Sequence, residues 1–397
     1  MIVHKHGKEL WKNRGKAGGI SAALCAVFLF VSFNLVYPHV DRAITLAKTK
    51  QRLAREEVYL SLEHAIDQLD KCNPRPTTVL LGSSLVMAPV WTCDKTHFND
   101  DDPPTMHHQS RWLEQLLKEK GLADERVVSL ALAGEVVSDA YIITDKLLSG
   151  DKKPDAIVFG VAPRDLMDDT LSAEALTPVF QRLVGIEDLT RIAGLSFSTL
   201  QEKGDFVFGR ILSLYALRGR LQTVPVAQYK RMLVKVIGEG NETKPAAKSL
   251  ADGFMMHKDR NWVWQKSKEE YKERYKCFSQ TQFEKQRMYL DALLKLAQER
   301  DIKMILVNMP LSSDNLSLLP EGLYDSYLTT IRNAAKLHGA TLVDLSNDGS
   351  YVDEHFYDTV HLNPIGGERF IQQVSEAVAK STSSKRSSVA SSAKQAI

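Results

Sequence analysis

The stretch Thr77-Thr-Val-Leu-Leu-Gly82, followed by Ser83-Ser84-Leu85, decides the fold of this chain. It is a short apolar run with β-branched residues that ends at a glycine, a pattern typical of a buried strand. Four similar runs follow, separated for the most part by segments with helical apolar spacing. Strands that alternate with helices predict an open α/β sheet of about five parallel strands, covered on both faces. The predicted strands are residues 77–82, 126–132, 155–160, 303–308 and 341–345.

Composition limits the classes of function. The chain has 397 residues, of which 44% are hydrophobic and 25% charged, enough for one large domain or a domain with an insertion. Its net charge of +2 gives no bias toward nucleic acid. Its four cysteines form no Cys-x-x-Cys pair and no His/Cys cluster with metal-ligand spacing. The sequence therefore predicts no nucleic-acid partner, no metal and no cofactor.

An apolar run without charged residues spans residues 17–37 and is preceded by five Lys and Arg side chains. It is long enough to cross a bilayer, which takes about 20 residues. The positive-inside rule places residues 1–16 in the cytoplasm and the rest of the chain outside. A cleavable signal peptide needs a shorter apolar core and a small-x-small site, and the end of this run offers none. The sequence thus predicts an uncleaved, single-pass anchor.

The remaining chain divides into three predicted regions, the second of which contains an insertion. Residues 38–76 are a membrane-proximal helix, and residues 77–380 are the α/β domain. The strand–helix rhythm stops within residues 171–279, which we interpret as a helical insertion. Residues 381–397, rich in Ser, Ala and Lys, are predicted to be a disordered tail.

Two features outside the strands each have two interpretations. In the insertion, Trp262, Trp264, Tyr271 and Tyr275 lie among Lys and Arg residues. They form either a surface for carbohydrate or lipid headgroups or a helix packed on its neighbour. Outside the cytoplasm, Cys72 and Cys93 are either a permitted disulfide or two free thiols.

Polar residues and glycines follow the predicted strands. Ligands of open α/β sheets bind outside the carboxyl ends of the strands, so the loops that follow these strands are expected to share one crevice. Asp358 and His361, after the fifth strand, have the spacing of a general base with its orienting acid. Ser84, after the first strand, is the candidate nucleophile. The other loops contribute Gly134, the segment 160–165 and the corner after Asn308.

Two of these motifs resemble those of a known superfamily. Gly82-Ser83-Ser84-Leu85 after an apolar strand and Asp358-Thr-Val-His361 near the end of the chain resemble the first and last blocks of the SGNH (GDSL-like) hydrolases. The resemblance covers residues 77–379 apart from the insertion. It implies a three-layer, flavodoxin-like fold.

The resemblance also implies roles for these residues. Ser84 would be the nucleophile, His361 its base and Asp358 the group that orients the imidazole. The Ser84 backbone N–H and Gly134 would hold the oxyanion. The superfamily's third block supplies an Asn, but this chain reads Gly160-Val-Ala-Pro-Arg-Asp165 there. Arg164 either replaces that donor or simply pairs with Asp165.

A further candidate lies at the end of the fourth strand. Asn308 either reaches into the crevice as a substrate-binding residue or satisfies backbone groups.

Among SGNH proteins, an N-terminal anchor with an extracytoplasmic domain is similar to the envelope acyl-transfer group. That group includes alginate O-acetylation proteins and the DltD-type proteins of teichoic acid D-alanylation. The similarity implies acyl transfer or ester hydrolysis through an acyl-serine intermediate on a cell-envelope or exported polysaccharide. Expected partners are an acyl donor, a glycan or polymer acceptor and a multi-span membrane O-acyltransferase. The alternative is an inactive scaffold that binds such an enzyme or a polymer.

Overall fold

The structure is a computed structural model that describes residues 54–167, 177–197, 199–211, 259–276, 278–347 and 349–395, together with Phe28 and Ser32. Within these residues, no helix combines the length and the apolar character that a membrane crossing requires. The predicted cytoplasmic segment lies outside them, as does the predicted anchor except for Phe28 and Ser32. Residues 212–258 of the predicted insertion also lie outside them.

Five strands form one parallel sheet in the order β2-β1-β3-β4-β5. This confirms the predicted α/β fold and its five parallel strands. The strand order is that of flavodoxin-like sheets, which bind their ligands where the order reverses, between β1 and β3. The strands are β1 Thr78–Gly82, β2 Val127–Ser129, β3 Ala156–Val161, β4 Lys303–Asn308 and β5 Thr341–Asp344.

The central strands are buried along their whole length. Every residue of β1 and of β3 is buried, and only the first residue of β4 is exposed. Strands of a parallel sheet are covered by helices on both faces, so their sequences are continuous apolar runs. This is why β1, β3 and β4 could be recognised in the sequence without an alternating pattern.

Helices α1 to α13 are numbered along the part of the chain that the structure describes. They are α1 Ala54–Lys71, α2 Ser84–Phe98, α3 Arg111–Glu119, α4 Val137–Leu147, α5 Pro163–Met167, α6 Pro178–Leu183, α7 Leu189–Ser196, α8 Leu200–Ile211, α9 Arg260–Lys276, α10 Gln280–Glu299, α11 Ser313–Leu316, α12 Leu323–His338 and α13 Pro364–Gln395.

The helices around the sheet form two groups. Helices α2, α3 and α13 pack against one another, and α10 packs against α4, α5 and α12. Because crossovers between parallel strands are right-handed, the strand order places these groups on opposite faces. The side chains of β1, β3 and β4 are therefore enclosed by a helical layer on each side.

The chain divides into two compact units. One comprises residues 53–184 and 245–397 and contains the sheet. The other comprises residues 1–52 and 185–244, of which the structure describes α7 and α8. Within this second unit the Phe197 and Phe206 rings lie 5.2 Å apart, centre to centre.

The cysteines and the C-terminal helix bear on two predictions made from the sequence. Cys72 and Cys93 are free thiols, the second of the two alternatives. Helix α13 begins at Pro364, as expected for proline in a first turn, but it runs to Gln395 instead of giving way to a disordered tail at residue 381. Residues 381–395 contain no Gly or Pro to end a helix, whereas their Ala and Lys residues favour one.

Candidate active site

The turn after β1 presents Ser84 at the start of a helix. Gly82 ends the strand with φ +137°, in a region that side chains rarely adopt, and a Cβ there would lie 2.6 Å from the Gly160 carbonyl oxygen. Ser84 is the first residue of α2. Its backbone N–H belongs to the first helical turn, where amides have no intrahelical partner. The positive end of the helix dipole favours negative charge at this point.

Ser84, His361 and Asp358 form a continuous chain of hydrogen bonds. The Ser84 Oγ lies 2.9 Å from His361 Nε2, and His361 Nδ1 lies 2.7 Å from Asp358 Oδ2. Ser84 and His361 are 7% and 8% exposed, so a small part of each side chain remains accessible, whereas Asp358 is 1% exposed. The structure thus brings together three residues from the two ends of the domain.

Asp358 is held in its ionised form. Its Oδ1 accepts hydrogen bonds of 2.8 Å from the backbone N–H groups of Val360 and His361. Burial alone would raise the pKa of Asp358, but the charge and hydrogen bonds of His361, together with the Val360 N–H, lower it below its usual value. An ionised Asp358 is acceptor-only and selects the imidazole tautomer with hydrogen on Nδ1. Nε2 is then the acceptor that faces the Ser84 hydroxyl.

Gly134 lies on the loop after β2, with φ +76°. The Leu132 N–H donates to the Gly82 carbonyl at 3.0 Å, and the Glu135 N–H donates to the Leu132 carbonyl at 3.0 Å. The candidate oxyanion loop is therefore fastened to the strand end that carries Ser84.

Arg164 is buried on α5, directly after β3. Its Nε donates to Asp165 Oδ1 at 3.2 Å, which is the pairing expected from sequence, and its Nη1 donates to the Tyr271 hydroxyl at 2.8 Å. Burial raises the pKa of Tyr271 to about 12, while Arg164 lowers it and the Asp358 charge raises it. Tyr271 therefore interacts electrostatically with both Arg164 and Asp358.

The sequence left open whether Asn308 reaches into the crevice or satisfies backbone groups, and the side-chain hydrogen bonds described for it go to β5 and α12. Its amide nitrogen donates to Asp344 Oδ1 at 2.7 Å and to the Tyr324 hydroxyl at 3.1 Å. Its amide oxygen accepts from the Tyr327 hydroxyl at 2.8 Å. The side chain ties β4 to β5 and α12, because the register pairs Asn308 with Asp344 and α12 brings both tyrosines over the strand ends.

Glu135 is a buried acid that the sequence analysis did not select. Its Oε2 accepts from the Leu132 N–H at 3.1 Å, and its Oε1 is buried without a partner among the described atoms. Burial, and then the nearby charges of Asp139 and Asp165, raise the pKa of Glu135 well above its usual value, which favours the protonated carboxyl. Its sequence signal was an acidic residue inside an otherwise apolar stretch next to Gly134.

We expect Glu135 to make the protein less stable as pH rises. A buried acid with a raised pKa stabilises the fold fully when the pH is below its unfolded-state pKa, about 4.3. This contribution is lost as the pH rises toward its folded-state pKa. The free energy of unfolding of wild type, minus that of Glu135→Gln, should therefore fall between pH 4 and pH 8. Urea denaturation at both pH values measures this difference, with Glu125→Gln as the control at a more exposed acid. A difference that rises or stays constant would contradict a raised pKa of Glu135.

The part of the chain described by the structure contains no group of three or more His, Cys, Asp or Glu side chains arranged to hold a metal ion.

The fold and site together define an α/β protein with a Ser–His–Asp constellation at the carboxyl edge of a parallel sheet. The chain belongs to the family DUF1574, described as a protein of unknown function, whose profile matches residues 110–365. The matched region includes Asp358 and His361 and begins after Ser84.

No curated protein matches the chain. Nine chains of solved structures do. One is LAE5, an α/β hydrolase enzyme from the metagenome of Lake Arreo, Spain, with 15% identity and a TM-score of 0.32. The alignment covers 76% of this chain and 93% of LAE5.

Proposed function

We propose that this protein is a serine acyltransferase or esterase of the SGNH type that works through an acyl-Ser84 intermediate. The observation that carries the proposal is the hydrogen-bond chain from Ser84 Oγ through both nitrogens of His361 to Asp358, with lengths of 2.9 and 2.7 Å. A nucleophile bonded to a base that is itself oriented by a third group is the arrangement required for nucleophilic catalysis by serine.

In the first half-reaction, Ser84 Oγ attacks the carbonyl carbon of an ester, and its proton passes to His361 Nε2. The electron pair of the carbonyl bond moves to oxygen and makes an oxyanion, which the first-turn N–H of α2 and the Gly134 N–H would stabilise. When the tetrahedral intermediate collapses, the bond to the leaving alcohol breaks. His361 returns the proton to that alcohol, and the acyl group remains on Ser84.

In the second half-reaction, His361 takes a proton from an acceptor hydroxyl, which attacks the acyl-serine carbonyl. Ser84 leaves, recovers its proton from His361, and the acyl group departs on the acceptor. A sugar hydroxyl as acceptor gives transfer, and water gives hydrolysis. The outcome depends on how far the crevice excludes water.

The proposed setting is the outer face of a membrane. It is supported by the apolar, uncharged run of residues 17–37 and by the Lys and Arg residues that precede it. A site tethered in this way would act on a cell-envelope or exported polysaccharide. A multi-span membrane O-acyltransferase would be the partner that supplies or receives the acyl group.

A scaffold without catalysis is the second candidate. It is favoured by the absence of Asn from Gly160-Val-Ala-Pro-Arg-Asp165, because loss of one oxyanion donor typically lowers the rate by ~10²–10³-fold.

Labelling with a fluorophosphonate probe separates these two functions. The full-length protein in detergent should be labelled, and peptide mapping should place the adduct on Ser84. Ser83→Ala is the matched control, since the Ser83 hydroxyl is buried and has no hydrogen-bond partner among the described residues, and this variant should be labelled like wild type. A folded wild-type protein that is not labelled would favour the scaffold.

A further inference from the structure

One face of α9 carries three buried hydroxyl groups. Ser267, Tyr271 and Tyr275 follow one another at intervals of four residues and are 2%, 3% and 3% exposed. Residues at this interval lie on the same face of a helix, one turn apart. The face they form is turned toward the protein, although α9 belongs to the region where the strand–helix rhythm of the sequence stops.

Each hydroxyl is hydrogen-bonded to a different chain segment that follows a strand at the carboxyl edge of the sheet. The Ser267 Oγ lies 2.6 Å from Thr359 Oγ1, on the loop after β5. The Tyr271 hydroxyl accepts from Arg164 after β3 at 2.8 Å. The Tyr275 hydroxyl donates to Asn315 Oδ1, after β4, at 2.7 Å. Helix α9 therefore connects the chain segments that follow three neighbouring strands, β3, β4 and β5.

Two of these connections, through Ser267 and through Asn315, meet at Thr359, which directly follows Asp358. The Thr359 backbone N–H donates to Ser267 Oγ at 3.3 Å, so this serine contacts both the backbone and the side chain of Thr359. From the other side, Asn315 Nδ2 donates to Thr359 Oγ1 at 3.1 Å, and Ser312 Oγ donates to the Thr359 carbonyl at 2.9 Å. Thr359 is fully buried.

We infer that α9 positions the acyl-transfer site, with Ser267 and Tyr271 as its positioning residues. Ser267 fixes Thr359 and, through it, the loop that sets the distance from His361 to Ser84. Tyr271 holds the Arg164 guanidinium by a hydrogen bond of 2.8 Å, in the chain segment where the missing Asn would stand. This inference rests on the proposed function.

The geometry gives the Tyr271 hydroxyl a role beyond packing. A buried phenol with a raised pKa is unfavourable for packing alone, since phenylalanine would fill the same volume without a polar atom. Tyr271 instead accepts from a cationic donor, and such charge-assisted hydrogen bonds are the stronger kind. Removing its oxygen leaves an Arg164 N–H without this acceptor in a buried place. The guanidinium is then expected to move.

The test uses the full-length protein in detergent and two variants, Tyr271→Phe and Ser267→Ala. We expect the rate of fluorophosphonate labelling at Ser84 to fall by ~10–100-fold, because displacements of about 1 Å at a reacting centre have effects of this size. With p-nitrophenyl acetate, kcat should fall while KM changes little. Thermal melting recorded in parallel shows that each variant is folded.

Two further variants exclude a merely structural effect. Tyr327→Phe removes a buried phenol that donates to Asn308 and to the Val161 carbonyl. It should lower the melting temperature and leave the labelling rate unchanged. Thr359→Val removes the side-chain hydrogen bond to Ser267, together with the acceptor of Asn315 Nδ2, with little change of shape. It should slow labelling like Ser267→Ala. The fold-decrease in labelling rate of the double variant should be smaller than the product of the two single fold-decreases.

The outcomes separate the two proposals. If wild type is not labelled, the acyl-serine function is wrong, and the inference about α9 fails with it. If wild type is labelled and Tyr271→Phe and Ser267→Ala react at the same rate, only the positioning role is wrong. It is also wrong if Tyr327→Phe slows labelling as much as they do.

Discussion

Replacement of Ser84 by alanine should lower ester turnover by about 10⁵–10⁶-fold, the size of effect known for loss of a catalytic serine or its base. The variant keeps α2, because alanine is the best helix former at an interior or first-turn position. It removes the only atom that the proposed mechanism acylates. Hydrolysis of p-nitrophenyl acetate by the full-length protein, measured as kcat/KM, tests this.

His361→Ala should cause a loss of similar size, and the Ser84→Ala/His361→Ala variant should be no slower than either alone. Non-additivity is expected because the two side chains act as one unit through the hydrogen bond of 2.9 Å. His97→Ala is the control, since this partly exposed histidine pairs with Glu368 near the end of α2 that is remote from Ser84. If Ser84→Ala and His361→Ala both match wild type, the catalytic assignment is wrong.

The sequence sufficed for the parts of the fold that follow from local patterns. Buried parallel strands are continuous apolar runs, and β1, β3 and β4 were found for that reason. The meeting of Ser84 with His361 was predicted from topology, since parallel strands end at the same edge of the sheet. No distance in sequence indicated it, because the two residues are 277 positions apart.

The parts that could not be predicted depend on side chains from different elements. The sequence left the role of Asn308 open, because its partners Tyr324, Tyr327 and Asp344 come from α12 and β5, and no local pattern indicates that they surround it. Glu135 was missed because an acid in an apolar stretch is uninformative until its burial is known.

The contacts of α9 could not be predicted from the sequence either. The sequence left open whether Tyr271 and Tyr275 form a ligand surface or pack a helix, and the structure shows both buried at the carboxyl edge of the sheet. Their hydroxyls contact loops distant in sequence, so helical periodicity alone could not identify the partners. The spacing predicts a shared face, but only the fold determines what that face meets.

Asp358→Asn should lower kcat/KM by on the order of 10⁴-fold while leaving the geometry of the loop nearly unchanged. Asparagine can still accept from the Val360 and His361 N–H groups through its oxygen. Its amide nitrogen, however, donates toward His361 Nδ1 and thereby favours the tautomer with hydrogen on Nε2. That tautomer presents a donor to the Ser84 hydroxyl and cannot accept its proton. Asp344→Asn, at a carboxylate bonded to Asn308 and Arg332, is the matched control for turnover.

The same substitution tests the charge of Asp358 through stability. A carboxyl with a lowered pKa contributes stability that is present above its unfolded-state value, near 3.8, and is lost as pH falls through the folded-state pKa. The free energy of unfolding of wild type minus that of Asp358→Asn should therefore decrease as the pH falls from 7 to 3. Urea denaturation at several pH values gives this difference. If turnover falls but the difference does not depend on pH, Asp358 orients His361 without being its ionised partner. If turnover remains within tenfold of wild type, selection of the His361 tautomer does not limit catalysis at this site.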